Sequence, residues 1–395
     1  MNPLKKLLEK VEPSFREGGK LHKFWPVYDG FATFLFVPGH PTHKGSHIRD
    51  GIDLKRTMVS VIFAMMPALL FGIYNVGYQH YLALGQESGL VENMIYGLIK
   101  VLPLIVVSYA VGLGVEFAFC VIKKHQINEG FLVSGMLIPL VVPPDMPLWM
   151  VAVATVFAVV IGKEVFGGTG MNVLNPALTA RAFLFFAYPA FISGDKVWVS
   201  LGGEKAVDGF SGATPLSQFI TQGPAIKNPV GGDIGFIDGF IGLIPGSIGE
   251  TSTLAILIGA AILIFTGVAS WKIMFSVFAG GYLTATLLNL LAGHFPDNPY
   301  LTIEPHWHLV FGGFAFGAVF MATDPVTAAQ TPLGKLIYGF LIGVITIVIR
   351  VLNPAYPEGM MLSILFMNVA APLIDYYVVQ ANIKRRLKRV TAKAA

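Results

Sequence analysis

The feature that most limits how this chain can fold is a series of long apolar segments separated by short polar ones. A helix needs about 20 mostly apolar residues to cross a bilayer. Candidate segments lie in both halves of the chain: 57–79, 101–122, 131–143, 147–163 and 176–193, and then 252–269, 272–293, 307–322, 335–350 and 358–379. The pattern therefore predicts an all-α membrane protein with ten transmembrane helices.

The composition supports this prediction and excludes several classes of protein. Apolar residues make up 54% of the chain and charged residues only 13%, whereas about 25% charged residues is typical of soluble domains. A net charge of +4 gives no reason to expect a nucleic-acid partner. The single cysteine, Cys120, excludes an internal disulfide and an iron–sulfur cluster held by this chain alone.

Basic residues predict the orientation, because loops on the cytoplasmic side of a membrane are rich in Lys and Arg. With ten spans, 21 of the 27 Lys and Arg residues fall on one side. The N- and C-termini are therefore expected in the cytoplasm. The resulting partition has a basic arm, two five-helix halves flanking an outward-facing loop region, and a basic tail: 1–56, 57–193, 194–251, 252–379 and 380–395.

An odd number of spans in each half predicts that the two halves are inverted relative to one another. Inverted repeats are common in transporters, where interrupted helices at matching positions line a site near the membrane midplane. The third segment of each half is short, rich in glycine and followed by proline. These glycines point either to such an interruption or to close helix packing.

Four ionisable side chains within or at the ends of the predicted spans stand out, because charged groups in a membrane are costly and are therefore candidates for function. They are Glu116, Arg181, Asp324 and Asp375. Carboxylate oxygens suit a cation such as sodium and can also carry protons. The alternative for Asp324 and Asp375 is a solvated position at a helix end.

Two polar clusters lie outside the spans. The first, residues 162–178, places Asn172 and Asn175 after a glycine-rich turn, and Asn175-Pro176 predicts the start of a helix. The second is D-G-F-S-G-A-T-P-L-S, residues 208–217. On residue chemistry alone, the Thr214 hydroxyl in this cluster is expected to cap a helix that starts at Pro215.

Taken together, these motifs resemble the NqrB/RnfD family, which contains the NqrB subunit of the bacterial sodium-pumping NADH:quinone oxidoreductase. The resemblance rests on residues 208–217, on K-E-V-F-G-G-T-G-M-N-V-L-N-P-A-L at 163–178 and on M-A-T-D-P-V-T-A at 321–328. It implies a fold similar to that of urea transporters. It also implies FMN bound to Thr214 through a phosphoester, with Asp208, Ser211 and Gly212 completing the motif, and a flavin transferase that attaches it.

The resemblance further implies a second flavin, a quinone and a cation path. Riboflavin is expected at Asn172, Asn175 and Arg181. Ubiquinone is expected near Gly112, Gly114 and Glu116, although the family has a Gly-Gly pair where this chain has Gly112-Leu113. The implied sodium path uses Glu116, Asp324 and Asp375. Phe316 and Phe320 are candidates for an apolar gate, with ordinary aromatic packing as the alternative.

The implied activity is electron transfer from covalent FMN through riboflavin to ubiquinone, coupled to outward sodium transport. The implied partners are the A, C, D, E and F subunits of a six-subunit complex in a bacterial inner membrane. The long arm 1–56 favours NqrB over an RnfD-type subunit of a ferredoxin:NAD oxidoreductase. A solute channel with the urea-transporter architecture stays open as the alternative from a different class. The role of 223–250, a longer stretch than the family leads us to expect, is not predicted.

Overall fold

The computed structural model describes residues 3–36, 42, 44–46, 48, 51, 54–123, 130–193, 197–222, 226–295, 298–353 and 356–394. Parts of the predicted cytoplasmic arm and of the 194–251 region thus lie outside the described residues. Within these ranges the regular secondary structure is helical, and the one β pairing is an isolated antiparallel bridge between Lys227 and Asp233. The predicted all-α character is confirmed, while the number of membrane crossings stays a prediction.

The α-helices follow the order of the predicted regions. The N-terminal arm contains α1 (Pro3–Val11) and α2 (Trp25–Leu35). The first half contains α3 (Leu54–Ala83), α4 (Leu90–Lys123), α5 (Phe131–Leu140), α6 (Leu148–Val160), α7 (Pro176–Ala187) and α8 (Pro189–Ile192). The loop region contains α9 (Pro215–Gln222) and α10 (Phe236–Ile241). The second half contains α11 (Thr253–Phe265), α12 (Trp271–Leu290), α13 (Pro305–Val310), α14 (Phe314–Phe316), α15 (Pro332–Leu352) and α16 (Met360–Ala394).

Six helical segments in the described ranges are long and apolar enough to cross a membrane. They are Leu54–Ala83, Leu90–Lys123, Leu148–Phe166, Trp271–Leu290, Pro332–Leu352 and Met360–Arg389. Three other apolar helices, α5, α7 and α11, are shorter. The predicted segments at 131–143, 176–193, 252–269 and 307–322 are therefore short or broken helices.

Two of these breaks have a direct cause in the sequence. The predicted segment 176–193 breaks at Tyr188, which precedes Pro189 and leaves the helical region at φ −134° and ψ 56°, because a residue before proline avoids that region. The predicted segment 307–322 breaks at Gly312, whose φ of +67° is readily adopted only by glycine. The chain then resumes as α14 and a π-helical turn, Gly317–Met321.

Two helix contacts recur in both halves, although the extensive contact between α3 and α4 in the first half has no equal between α11 and α12. When α13 and α14 are counted as one broken segment, the second segment of each half lies against the fourth, as α4 against α6 and α12 against α15. The fourth helix of each half then contacts the fifth, and the first helices of the two halves, α3 and α11, pack against each other. The contact of the second segment with the fourth and that of the fourth with the fifth are thus common to both halves.

Glycines allow the helices to approach closely. At the α12–α15 contact, a Cβ added to Gly343 would overlap the carbonyl oxygen of Val277, and one added to Gly280 would overlap that of Phe340. A Cβ on Gly97 of α4 would overlap the Ile73 carbonyl oxygen of α3. Small residues at such contacts are typical of helices that associate in membranes, where close van der Waals packing replaces the hydrophobic effect.

One stripe of α4 faces the bundle. Its buried residues recur at intervals of three or four, which is the spacing of one helix face: Asn93, Gly97, Val101, Leu104, Ser108, Gly112, Glu116 and Cys120. Glu116 therefore lies on the inner face of its helix.

Candidate functional site

A cavity of about 240 Å³ lies beside Thr214, and we call it the Thr214 cavity. Its walls come from α7, the start of α9, the loop before α11, the break after α13 and the loop before α16. The lining includes Arg181, Phe185, Trp198, Thr214, Ser217, Ser247, Glu250, Thr251, Gly312, Tyr356 and Glu358. The cavity therefore joins residues from both halves of the chain.

The turn that carries Thr214 is held by hydrogen bonds on both sides. The Thr214 Oγ1 accepts a hydrogen bond from the Ser217 N–H at 3.3 Å, as a helix cap does, so α9 begins at Pro215 as predicted. Gln218, which is buried, donates from Nε2 to the Ala213 and Lys227 carbonyls at 3.0 and 2.8 Å. The Thr214 hydroxyl is thus fixed on the wall of the cavity.

Asp208, Ser211 and Gly212, the other predicted flavin residues of this motif, are not part of the cavity lining. Asp208 is exposed and is not part of its lining, whereas Gly212 is buried in the turn. Ser211 accepts from the Ala213 N–H at 3.4 Å. These three residues shape the turn, and the motif brings the hydroxyls of Thr214 and Ser217 to the cavity.

Charged groups form the floor of the Thr214 cavity. Arg181 donates to Glu250, and both side chains are 7% exposed. Glu358 accepts from the Gly313 N–H at 2.6 Å. Burial raises the pKa of the Glu250 carboxyl to about 7, against the opposing effect of the Arg181 guanidinium. Burial likewise raises the pKa of the Tyr356 hydroxyl, so that it keeps its proton.

Arg350 satisfies the helix break beside this floor. It is fully buried, and its guanidinium donates to the carbonyls of His308 and Phe311 at 2.5 and 3.0 Å and to the Glu358 carbonyl at 3.0 Å. An interrupted helix leaves carbonyl groups without partners, and in an apolar environment such groups must find a donor. Arg350 supplies these donors from α15.

A second cavity of about 110 Å³ lies beside Asp324, and we call it the Asp324 cavity. Asn175 accepts from the Ala177 and Leu178 N–H groups at 3.0 and 3.3 Å, capping α7 as predicted, and donates to Asp324 at 3.3 Å. Asn172 donates to the Leu174 carbonyl at 3.0 Å. Apolar and polar residues complete the lining: Thr57, Val133, Ser134, Leu137, Lys163, Thr169, Leu263, Phe320 and Thr323.

The structure separates the residues predicted to hold riboflavin. Asn172 and Asn175 line the Asp324 cavity, whereas Arg181 lines the Thr214 cavity. The reason is geometric, because Arg181 lies six residues after Asn175 along α7, and a helix rises about 1.5 Å per residue. α7 therefore runs from one cavity to the other.

Glu116 pairs with Lys163, and the two side chains are 3% and 4% exposed. Lys163 also lines the Asp324 cavity, so the buried pair connects α4 to that cavity. The neighbouring pair between Lys123 and Glu164, at 3.1 Å, is more exposed. Lys163 counts as an ordinary loop lysine in the predicted orientation, but the structure buries it.

The residues predicted to hold the quinone do not share one face. Gly112 and Glu116 lie on the buried stripe of α4, and a Cβ on Gly112 would overlap the Phe131 ring. Gly114 is exposed, and a Cβ there would meet nothing within 4 Å. The two-residue spacing turns Gly114 away from the bundle.

Asp375 binds the start of α15. Its carboxylate accepts from the Gln330 N–H at 2.6 Å, from the Thr331 N–H at 3.0 Å and from the Thr331 hydroxyl at 2.5 Å. Neither cavity described above includes it in its lining.

Phe316 and Phe320 lie between the two cavities along the chain. Their ring centroids are 5.0 Å apart, and both side chains are buried. Gly312, four residues before Phe316, lines the Thr214 cavity, and Phe320 lines the Asp324 cavity. The two rings thus occupy the segment that leads from one cavity to the other.

The sequence alone predicts no role in a site for several of these residues: Lys163, which lies in the motif at 163–178, and Glu250, Arg350, Tyr356 and Glu358, which lie outside the motifs. Arg350 at the end of a predicted span is a signal that is present in the sequence. Glu250 lies in a predicted loop and Glu358 at the first residue of a predicted span, and a charged residue at either place is expected to be solvated. Only the folding of the chain before α11 and α16 into the bundle buries these two carboxylates beside the Thr214 cavity.

Known proteins resemble this chain over nearly its whole length. The model of the NQR2, RnfD, RnfE family matches residues 41–384. Proteins named as the B subunit of Na(+)-translocating NADH-quinone reductase, from Klebsiella pneumoniae and Yersinia pestis, are 50% and 52% identical, over 98% of this chain and 99% of theirs. The protein of that name from Chromohalobacter salexigens is 49% identical over 98% of this chain and 97% of its own length.

Proposed function

Because this chain belongs to the NQR2, RnfD, RnfE family, we propose that it is the NqrB membrane subunit of a sodium-pumping NADH:quinone oxidoreductase. In this role it passes electrons from covalent FMN through riboflavin to ubiquinone, coupled to outward Na⁺ transport. The observation that carries the proposal is the S-G-A-T turn, which fixes the Thr214 hydroxyl on a cavity wall, in a chain about half identical to the named relatives over its length. This full-length likeness favours NqrB over an RnfD-type subunit.

The proposed architecture has ten membrane segments in two inverted halves. The shared packing pattern of the halves supports it, with α3 against α11 where the halves meet. Four segments, built around α5, α7–α8, α11 and α13–α14, are short or broken. Interrupted helices that end at ligand cavities are typical of inverted-repeat membrane proteins.

Thr214 fits a phosphoester-linked FMN. Its hydroxyl is partly accessible on the cavity wall and accepts a hydrogen bond from Ser217. That N–H can be donated instead to a phosphate oxygen, since anions bind favourably at helix N-termini. When bound there, FMN supplies one-electron and two-electron chemistry.

The Asp324 cavity fits riboflavin in chemical character, because amide and carboxylate groups lie among apolar walls. Asn172, Asn175 and Asp324 would hydrogen-bond the polar edge of the flavin ring. Arg181 is excluded from this set by its place at the other cavity. The quinone site is proposed at Gly112 and Glu116, on the stripe of α4 that reaches Lys163.

The proposed sodium path runs through the segment between the two cavities. Asp324 supplies a carboxylate at one end of this segment, and Phe316 and Phe320 form an apolar gate within it. Glu116 and Asp375, which line neither cavity, are the proposed carboxylates of the path beyond the Asp324 cavity. A cation that moves toward a newly reduced buried flavin offsets the unfavourable added negative charge. Moving one unit charge against 100 mV requires about 2.3 kcal/mol.

The setting is a bacterial inner membrane with both termini in the cytoplasm. The proposed partners are the A, C, D, E and F subunits, and a flavin transferase for maturation. Of the predicted regions, 1–56 and 380–395 are then cytoplasmic, and 194–251, with Thr214, faces outward.

Mass spectrometry of the peptide that contains Thr214 tests the proposal. The chain is expressed with its flavin transferase, and Thr214 is expected to carry the mass of FMN less one water. Under ultraviolet light, the denatured chain is expected to fluoresce on a gel.

Thr214→Ala is the test variant and Ser217→Ala is its matched control, because the two changes remove hydroxyls one helical turn apart. Only Thr214→Ala is expected to abolish fluorescence. A fluorescent Thr214→Ala chain would overturn the attachment site. Wild-type protein without flavin would instead favour the solute channel.

A further inference from the structure

Two carboxylates meet on the floor of the Thr214 cavity. Glu250 precedes α11 and Glu358 precedes α16, yet the Oε1 atoms of both lie within 2.7 Å of the point where a Cβ on Gly313 would stand. The glycine at this position leaves room for both groups. The pair is thus built by three separate elements.

Two hydroxyls beside this pair have no hydrogen-bond partner. Thr251 Oγ1 and Tyr356 Oη are both buried without a partner among the residues that the structure describes. Their side chains are 4% and 5% exposed, and both line the cavity. A buried polar group without a partner is unfavourable, so these oxygens indicate a bound ligand.

The charges on the floor limit what this ligand can be. Arg181 is paired with Glu250, and Arg350 donates to backbone carbonyls. When both carboxyls are ionised, two guanidiniums and two carboxylates sum to zero. Adjacent carboxylates repel an anion, and a divalent ion would leave a large net charge in a poorly solvated site.

We propose that Glu250 and Glu358, completed by the oxygens of Thr251 and Tyr356, bind a monovalent cation such as Na⁺. Hard cations of this kind prefer oxygen ligands. The inference rests on the proposed function for its charge balance, because a phosphodiester on Thr214 adds one negative charge to the same cavity. The cation then makes the loaded cavity neutral, and the site fills when the flavin is attached.

Equilibrium binding of ²²Na⁺ to the purified, flavin-loaded complex tests this site. Tyr356→Phe and Thr251→Val are the most informative variants, since neither removes a hydrogen bond seen in the structure. Each is expected to raise the dissociation constant of one Na⁺ per complex several-fold, and Glu358→Gln is expected to raise it by about tenfold or more, as ligand charge controls affinity.

Glu304→Gln is the matched control, because Glu304 is an exposed glutamate just before α13. Its Na⁺ binding is expected to equal that of wild type. Subunit content and covalent flavin, measured on each preparation, identify variants that fail to assemble. Glu250 is tested with the double variant Arg181→Gln/Glu250→Gln, because replacing Glu250 alone would leave the buried Arg181 without its partner.

The inference is overturned if fully assembled, flavin-loaded Tyr356→Phe, Thr251→Val and Glu358→Gln complexes all bind Na⁺ as wild type does. That result leaves the proposed function intact. If the wild-type complex instead carries no flavin on Thr214, the proposed function itself is contradicted. The Thr214→Ala complex is expected to bind one Na⁺ fewer at the same concentration.

Discussion

Buried charges in the described part of this protein have defined partners, and the pair between Glu116 and Lys163 is the least accessible on α4. Removing one member of a buried ion pair is destabilising by about 3–5 kcal/mol, because the other charge is left without compensation. Glu116→Gln and Lys163→Met are each expected to lower the melting temperature of the solubilised complex. The double variant is expected to recover most of the loss.

Lys123→Met is the control for this double-mutant cycle. Lys123 pairs with Glu164 at 3.1 Å, but its side chain is 38% exposed, and such pairs contribute about 0–1 kcal/mol. A double variant that melts as low as the two single losses combined would contradict a direct pair.

The carboxyl of Glu250 leads to a prediction about pH. Its pKa is raised to about 7, and the charged or titratable groups that face it are Arg181, Arg350, Glu358 and Tyr356. A raised pKa means that the proton is held to a higher pH and competes with the cation. We expect the Na⁺ affinity of the Thr214 cavity to fall by up to about tenfold per unit below pH 7.

The measurement is ²²Na⁺ binding to the complex between pH 6 and pH 8. The Arg181→Gln/Glu250→Gln variant should lose this dependence, since it has no carboxyl at position 250 to titrate. A variant that keeps the wild-type pH profile would show that another group titrates.

Among the helices, the α12–α15 contact depends on the absence of a side chain. Gly343→Ala is expected to lower the melting temperature, because its Cβ would overlap the Val277 carbonyl oxygen and overpacking costs about 1–3 kcal/mol. Gly114→Ala is the control, as a Cβ at that exposed position in α4 meets nothing. Equal melting temperatures for the two variants would contradict the close approach of α12 and α15.

The break between α13 and α14 depends on the donors of Arg350. Arg350→Met would leave the His308 and Phe311 carbonyls unpaired, at about 1–3 kcal/mol for each. Amide hydrogen exchange over 305–316 is expected to accelerate, while exchange in α5 stays unchanged. Arg350→Lys keeps the charge but has fewer N–H donors, and it should give an intermediate exchange rate. No acceleration of exchange in either variant would show that other contacts hold the break.

For the whole molecule, the number of crossings can be measured with thiol labelling. The chain has one cysteine, Cys120, which is buried, so a Cys120→Ser background accepts single new cysteines. In a ten-segment protein, Glu87→Cys, Glu204→Cys and Glu304→Cys react with an impermeant reagent from outside the cell. Thr266→Cys and Gln330→Cys react only after permeabilisation.

The decisive comparison is between position 204, in the loop region before α11, and position 266, directly after α11. This helix has 13 residues, fewer than the roughly 20 that span a bilayer alone. Labelling of both positions from outside would mean that α11 does not complete a crossing.

The sequence alone determined the helical membrane class, because apolar segments and sparse charge are local properties that no tertiary contact changes. It also determined where α7 and α9 begin, since Asn175-Pro176 and Thr214-Pro215 cap a helix through adjacent residues. The same holds for the family, which rests on the order of short motifs along the chain.

Tertiary structure decided which distant residues share a cavity. Glu250 and Glu358 meet only because the loops before α11 and α16 fold back against the break at Gly312-Gly313. Arg181 lines a different cavity from Asn172 and Asn175, because each turn of a helix lies further along the helix axis. Such distances depend on how whole helices pack, and the packing of one helix is determined by its neighbours rather than by its own sequence.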